Sequence, residues 1–184
     1  PIFTPKTFPK LKAKKIVITG GPGTGKSSII QELKKRGFYC FEEISREVTL
    51  KAREDGIEQL FLTEPLLFSE LLLNGRIQQF KDAESMDKAF VFLDRGIPDV
   101  LAYMDYIKDD YPKEFIDACN MHVYNHAFIL APWQDIFSND SERYENFEQA
   151  IEIHKHLLET YKNHDYSLLD VPFGSVASRT DFIL

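Results

Sequence analysis

Gly20, Gly25, Lys26 and Ser27 stand in the spacing Gly-x4-Gly-Lys-Ser within GGPGTGKSS, residues 20–28. That spacing is the pattern of a phosphate-holding loop. The glycines let backbone N–H groups turn inward around an anion, and a helix opening at Gly25 offers its positive end to the same anion. The Lys26 ammonium suits β- and γ-phosphates, and the Ser27 hydroxyl suits Mg²⁺. Gly20, Gly21, Pro22, Gly23, Thr24, Gly25, Lys26, Ser27 and Ser28 together make the expected nucleotide cradle. An apolar run precedes this segment and a helical pattern follows it, as such a loop requires.

A grip on triphosphate serves kinases, switches, motors and pumps alike, so other residues must choose among them. In FVFLDRGIPDVLAY, residues 90–103, four apolar residues lead to Asp94. A buried strand with a carboxylate at its carboxyl end would set an anion beside the phosphate loop, for a metal-linked water or an acceptor hydroxyl. Arg95 adds a positive charge for transferring oxygens. In FEEISREV, residues 41–48, Glu42, Glu43 and Arg46 follow a second apolar run. Glu43 could take a proton from a substrate hydroxyl or hold the metal's water shell. Arg46 and Glu47 also read as a solvated helix start, and both readings stand. APWQDIFSNDSERYENF, residues 131–147, is a polar connection carrying Arg143, the form of a flap that closes over triphosphate, or of a plain surface loop. Trp133 within it could stack on a base or anchor the flap. VPFGSVASR, residues 171–179, could cradle an adenine ring with its backbone. Acceptor specificity is expected around Arg76, Gln79 and Asp99.

The elements that must position these groups are short apolar runs alternating with helical patterns. The runs are Lys15–Thr19, Phe38–Phe41, Ala89–Leu93, Ala127–Leu130 and Tyr166–Val171. Near-continuous apolarity over four to six residues predicts strands buried on both faces. Helices are expected from Gly25 to near Gly37, from Pro65 through LLFSELLLNGRIQQF as a buried helix, and over FEQAIEIHKHLLETYK with Ile151, Leu157, Leu158 and Tyr161 on its inner side. Such alternation predicts an α/β fold, a doubly wound sheet of about five parallel strands with ligands at their carboxyl ends.

The chain has 184 residues, 43% hydrophobic and 28% charged, enough for one core without disulfide staples. Its net charge of −7 argues against broad contact with nucleic-acid backbone. Cys40 and Cys119 lie in apolar runs and read as reduced core thiols, and a cytoplasmic location is expected. Residues 1–13 form an expected basic N-terminal arm, and residues 14–184 the domain. His154 and His156 are two apart, and His122 and His126 have no carboxylate between them, so neither pair reads as a metal site.

At GGPGTGKSS, EEISRE, LDRGIPDVLAY and SVASRTDFIL the chain resembles the P-loop nucleoside and nucleotide kinases. It is most similar to small AAA-type kinase-like domains related to the nicotinamide-riboside kinase domain of bifunctional NAD-biosynthesis regulators. The likeness implies a three-layer P-loop NTPase fold with sheet order 2-3-1-4-5. It also implies acceptor-side roles for Asp94, Arg95, Glu43 and Arg46, and a lid role for Arg143. The expected activity is Mg²⁺-dependent phosphoryl transfer from ATP, or GTP, to a small nucleoside, nucleotide or riboside-like acceptor. The alternative is a nucleotide-dependent switch with a protein or phospholipid partner, as some relatives of this group are thought to be. Gly96 departs from the Ser or Tyr that follows Asp-Arg in deoxynucleoside kinases, so their substrate contacts do not transfer. No guanine-reading Asn/Thr-Lys-x-Asp motif is present; KNHD at 162–165 has the wrong spacing.

Overall fold

The computed structural model describes residues 11–138 and 144–184. Arg143 therefore lies outside the described residues, as do the first ten residues of the expected arm. Five strands, β1 (Lys14–Gly20), β2 (Tyr39–Phe41), β3 (Phe90–Asp94), β4 (His126–Leu130) and β5 (Leu168–Asp170), pair in the order β2-β3-β1-β4-β5. Every pairing is parallel, and Ile18 of β1 is in register with Asp94 of β3. Parallel neighbours need crossovers, and helices provide them: α1 (Lys26–Lys35), α2 (Ser45–Glu54), α3 (Leu60–Thr63), α4 (Pro65–Ser85), α5 (Ile97–Ile107), α6 (Lys113–Met121), α7 (Phe147–Asn163) and α8 (Val176–Ile183).

Side-chain alternation on the strands builds the three layers. Ile16 and Ile18 of β1, Phe92 of β3, and Phe128 and Leu130 of β4 pack with Ile29, Ile30 and Leu33 of α1 and Ile183 of α8. Val17, Leu93, Ala127 and Ile129 face the other way, against α4, α5 and α7. Fully burying one such aliphatic side chain stabilises a fold by about 1.5–3 kcal/mol, so both faces contribute.

Local chemistry sets the helix ends. Gly25 precedes α1 at φ 90°, in the left-handed region, and Gly37 follows its end at φ 92°. Pro65 occupies the first turn of α4, where its missing N–H costs nothing. Asn146 and Gln149 bond reciprocally at the start of α7, and Ser175 caps α8 through the Ser178 amide.

The structure corrects several sequence expectations. β5 is only three residues long: Tyr166 has left the strand, and its hydroxyl accepts from the Tyr124 amide at 2.9 Å. The inner face of α7 carries Ala150, Ile153, Leu157, Thr160 and Tyr161, while Ile151 and Leu158 are exposed. Small Ala150 lets the helix approach the phosphate loop: a Cβ added to Gly21 would lie 3.4 Å from the Ala150 carbonyl oxygen. The leucine run of α4 is not uniformly buried, because Leu72 and Leu73 face the core while Leu66, Leu67 and Leu71 are partly exposed. Both cysteines are free and buried, and burial pushes the Cys40 thiol up to about 11 and that of Cys119 to about 12. Among the described residues no helix is long and apolar enough to cross a membrane.

Candidate functional site

The segment from Gly20 to Ser28 runs from the carboxyl end of β1 into α1, where the sequence pattern required it. Gly20, Gly23 and Gly25 all have positive φ, and a Cβ on Gly20 would lie 2.7 Å from the Leu130 carbonyl oxygen, so that turn excludes a side chain. Buried Thr24 donates from its hydroxyl to the Gly21 carbonyl at 3.0 Å. Lys26 is 9% exposed and its Nζ donates to the same carbonyl at 3.3 Å, folded back over the loop. Burial, and then the Arg95 charge, push Lys26 down to about 8, against the pull of Asp94, Glu43 and Asp99. Ser27 and Ser28 are exposed at the start of α1.

Asp94 ends β3 next to this loop and is 7% exposed. Its Oδ1 is buried with no hydrogen-bond partner, an orphaned hard-oxygen acceptor at the end of the strand paired with β1. Burial raises its carboxyl above the ordinary range; Lys26 opposes this, and the Glu43 charge adds to it.

Glu43, just past β2, gathers two guanidinium groups. Its Oε1 accepts from Arg76 Nη2 at 3.1 Å and from the Ser45 amide at 3.0 Å. Its Oε2 lies 2.8 Å from Arg95 Nε, although that nitrogen is poorly aligned for a hydrogen bond. Burial works to raise this carboxyl, but Arg76 first and Arg95 next, with the Ser45 amide and Lys26, outweigh it and hold Glu43 at about 2. Arg76 reaches in from the middle of α4 and also donates from Nη1 to the Gly96 carbonyl at 3.2 Å. Arg95 has φ 72°, a left-handed conformation that costs a non-glycine residue roughly 1–2 kcal/mol, and its amide is tied to the Ile18 carbonyl at 3.0 Å.

The remaining acceptor-side expectations separate here. Gln79 caps the Glu42 carbonyl at 3.0 Å, Glu42 pairs with Lys34, and Arg46 is exposed on α2. Asp99 is interior, with both oxygens taken by the protein's own donors. Arg179, which no spacing in the sequence singled out, donates from Nη1 to the Thr24 carbonyl at 2.9 Å. It lies under Trp133 at 5.6 Å, and Trp133 stacks on Phe173 at 4.7 Å and 13°. Residues from the β4–α7 connection, the turn after β5 and α8 thus meet at the phosphate loop.

A cleft of about 430 Å³ among Cys119, Tyr124, His126, His164 and Tyr166 opens at the amino ends of β4 and β5. Parallel sheets bind ligands at the opposite, carboxyl ends, where the loop, Asp94 and Glu43 converge, and the site is assigned there.

Solved structures share this architecture. The deoxyadenosine kinase of M. mycoides, with products dCMP and dCDP bound, superposes with a TM-score of 0.68 at 21% identity, covering 92% of this chain and 96% of that one. The thymidylate kinase of Candida albicans gives 0.64 at 17%, covering 94% and 89%. The NadR protein in complex with NR gives 0.71 at 17%, covering 93% of this chain and half of that one. The fold is that of the P-loop nucleotide kinases. No curated protein matches the chain by sequence. Residues 15–179, from the first strand through Arg179, match the family model described as an AAA domain, and the chain belongs to that family.

Proposed function

We propose that the protein transfers the γ-phosphoryl group of ATP to the hydroxyl of a small, uncharged acceptor of the nucleoside or riboside kind. The observation that carries this reading is the buried, unpartnered Asp94 Oδ1 beside the phosphate loop, within the electrostatic reach of Lys26, Glu43, Arg95 and Arg76. The acceptor oxygen bonds to the γ-phosphorus, the β–γ bridging P–O bond breaks, the hydroxyl proton passes to Asp94, and nucleoside diphosphate leaves. Asp94 suits the proton better than Glu43, because its Oδ1 has no hydrogen-bond partner while both Glu43 oxygens are engaged. Lys26 neutralises the transferring oxygens, and Arg95 steadies the charge that spreads over them. Ser27 and Asp94 present hard oxygens that fit Mg²⁺, which would supply further neutralisation of phosphate charge. Arg143 is proposed to complete the lid. The Trp133–Phe173 stack over Arg179 is proposed to receive the donor base.

Charge arrangement favours an uncharged acceptor. A monophosphate bound beside Glu43 needs a free cation there, yet among the described residues Arg76 and Arg95, the two cations gathered at that point, are both engaged by Glu43. The test is product formation from γ-labelled ATP and Mg²⁺ with pools of nucleosides, nucleotides and riboside vitamins, with GTP as a competing donor. A labelled nucleoside or riboside product supports the reading. Labelled inorganic phosphate alone, indifferent to every acceptor, would replace it with the nucleotide-switch alternative. Lys26→Ala is expected to lower turnover at least ~10²-fold through loss of a preorganised contact, read as kcat at saturating donor.

A further inference from the structure

Asp99 sits directly under the Asp94–Arg95–Gly96 turn and is 4% exposed. Its oxygens are taken by donors from three elements. The Thr19 hydroxyl of β1 donates to Oδ1 at 2.5 Å, the Tyr161 hydroxyl of α7 to Oδ2 at 2.5 Å, and the Gly96 amide to Oδ2 at 2.9 Å. Burial, and then the Asp99 charge, push Tyr161 far above the ordinary phenol range, so its hydroxyl keeps the proton it donates. The Gly96 amide follows Arg95 immediately, so this carboxylate grips the turn on the far side of a strained residue. Gly96 itself has φ −121° and ψ −179°, a backbone any residue adopts. What demands glycine there is space. An added Cβ would meet the Tyr161 hydroxyl oxygen at 2.9 Å, Tyr124 Cε2 at 3.0 Å and Val17 Cγ2 at 3.2 Å.

We propose that Tyr161 and Asp99 are positioning residues for Arg95: the Tyr161 hydroxyl, reaching in from α7, fills the side-chain space left open at Gly96 and fixes, through Asp99, the turn that aims the guanidinium at the transferring phosphoryl group. The inference rests on the phosphoryl-transfer reading above. It accounts for the glycine after Arg95, because any Cβ there would have to displace the Tyr161 hydroxyl. A hydroxyl already stands there, supplied by a helix 62 residues away from Asp99 in sequence. Because Thr19 precedes Gly20 and α7 lies against Gly21, the same carboxylate keys the turn to the phosphate loop.

The test uses Tyr161→Phe, Gly96→Ser and their combination in the full chain, with two readouts. The first is kcat and the KM for ATP. Tyr161→Phe is expected to lower kcat about 10-fold with KM within about 2-fold, the pattern of a contact felt mainly in the transition state. Gly96→Ser alone is expected to lose at least as much. The combination is expected to regain at least about threefold over Tyr161→Phe, because the serine hydroxyl enters the vacated space and can donate to Asp99. The second readout is the Arg95 ¹⁵Nε–H resonance, identified by its loss in Arg95→Lys. It is expected to shift in Tyr161→Phe and to return toward its original position in the combination.

An unmoved Arg95 resonance in Tyr161→Phe overturns the inference. So does a combined variant no better than the product of its two single losses, or a lower melting temperature with unchanged turnover per folded molecule. If Tyr161→Phe fails to fold, Asp99→Asn takes its place with the same two readouts. Should the wild-type protein phosphorylate no acceptor, the proposed function falls, and the resonance still decides whether Tyr161 holds Arg95.

Discussion

Asp94→Asn lowers acceptor phosphorylation at least about 10²-fold while ATP binding stays within several-fold of wild type. The substitution keeps the shape of the side chain and removes its charge, so the loss reflects chemistry and not packing. A positioned proton acceptor typically contributes 10²–10⁴-fold, and Asp94 carries the only buried carboxylate oxygen without a partner among the described residues. The same change is expected to raise the melting temperature at pH 7. Asp94 has a raised carboxyl in the folded chain, which therefore binds its proton more tightly than the unfolded chain does. Its contribution to stability is complete below the ordinary carboxylate range and is lost as pH rises through the folded value. Asn carries no such penalty, so activity and stability should move in opposite directions. Turnover close to wild type, measured with the labelled acceptor, would remove Asp94 from the mechanism.

Glu43→Ala destabilises the fold by about 3–5 kcal/mol, the cost of leaving a buried cation without its partner. Arg76 is 3% exposed, and Glu43 is its only ion-pair partner among the described residues. The loss is read as the free energy of urea unfolding, and Arg76→Met in the Glu43→Ala background should recover part of it. A Glu43→Ala protein within about 1 kcal/mol of wild type would show that Arg76 finds another partner. The pH dependence has a definite sign. Glu43 is held at about 2, below its ordinary 4.5, a difference of about 3 kcal/mol in favour of the folded state. That contribution is complete above pH 4.5 and is lost as pH falls toward 2. The stability gap between wild type and Glu43→Gln should therefore close across this interval. Activity falls too, because Arg95 loses the carboxylate that holds its Nε.

The phosphate-loop turn was legible in one contiguous segment, and the reason is physical. The turn of that loop depends on backbone conformations that favour glycine at fixed places, Gly20, Gly23 and Gly25, so spacing alone implies geometry. Asp94 was legible for a related reason: an apolar run ending in a carboxylate can only place that group at a strand end. The parallel sheet followed from the alternation of strands and helices, and its strand order from the family likeness alone. Tertiary structure alone decided which groups meet. Glu43, Arg76 and Gly96 are separated by 33 and 20 residues, and no periodicity relates them. The inner face of α7 turned away from Ile151 and Leu158, because Ile153, Leu157 and Tyr161 are the side chains that pack into the core shared with α5. Asp99 lay where an acceptor contact was expected, yet Thr19 and Tyr161 claim its oxygens. Arg179 came to the phosphate loop from the last helix, in a stretch where only the backbone was expected to matter. Hydrophobic pattern and backbone chemistry are local properties, and one chain displays them in order along its length. The direction of a buried polar side chain is set by the donors and acceptors that packing brings within 3 Å, and only the folded chain contains them.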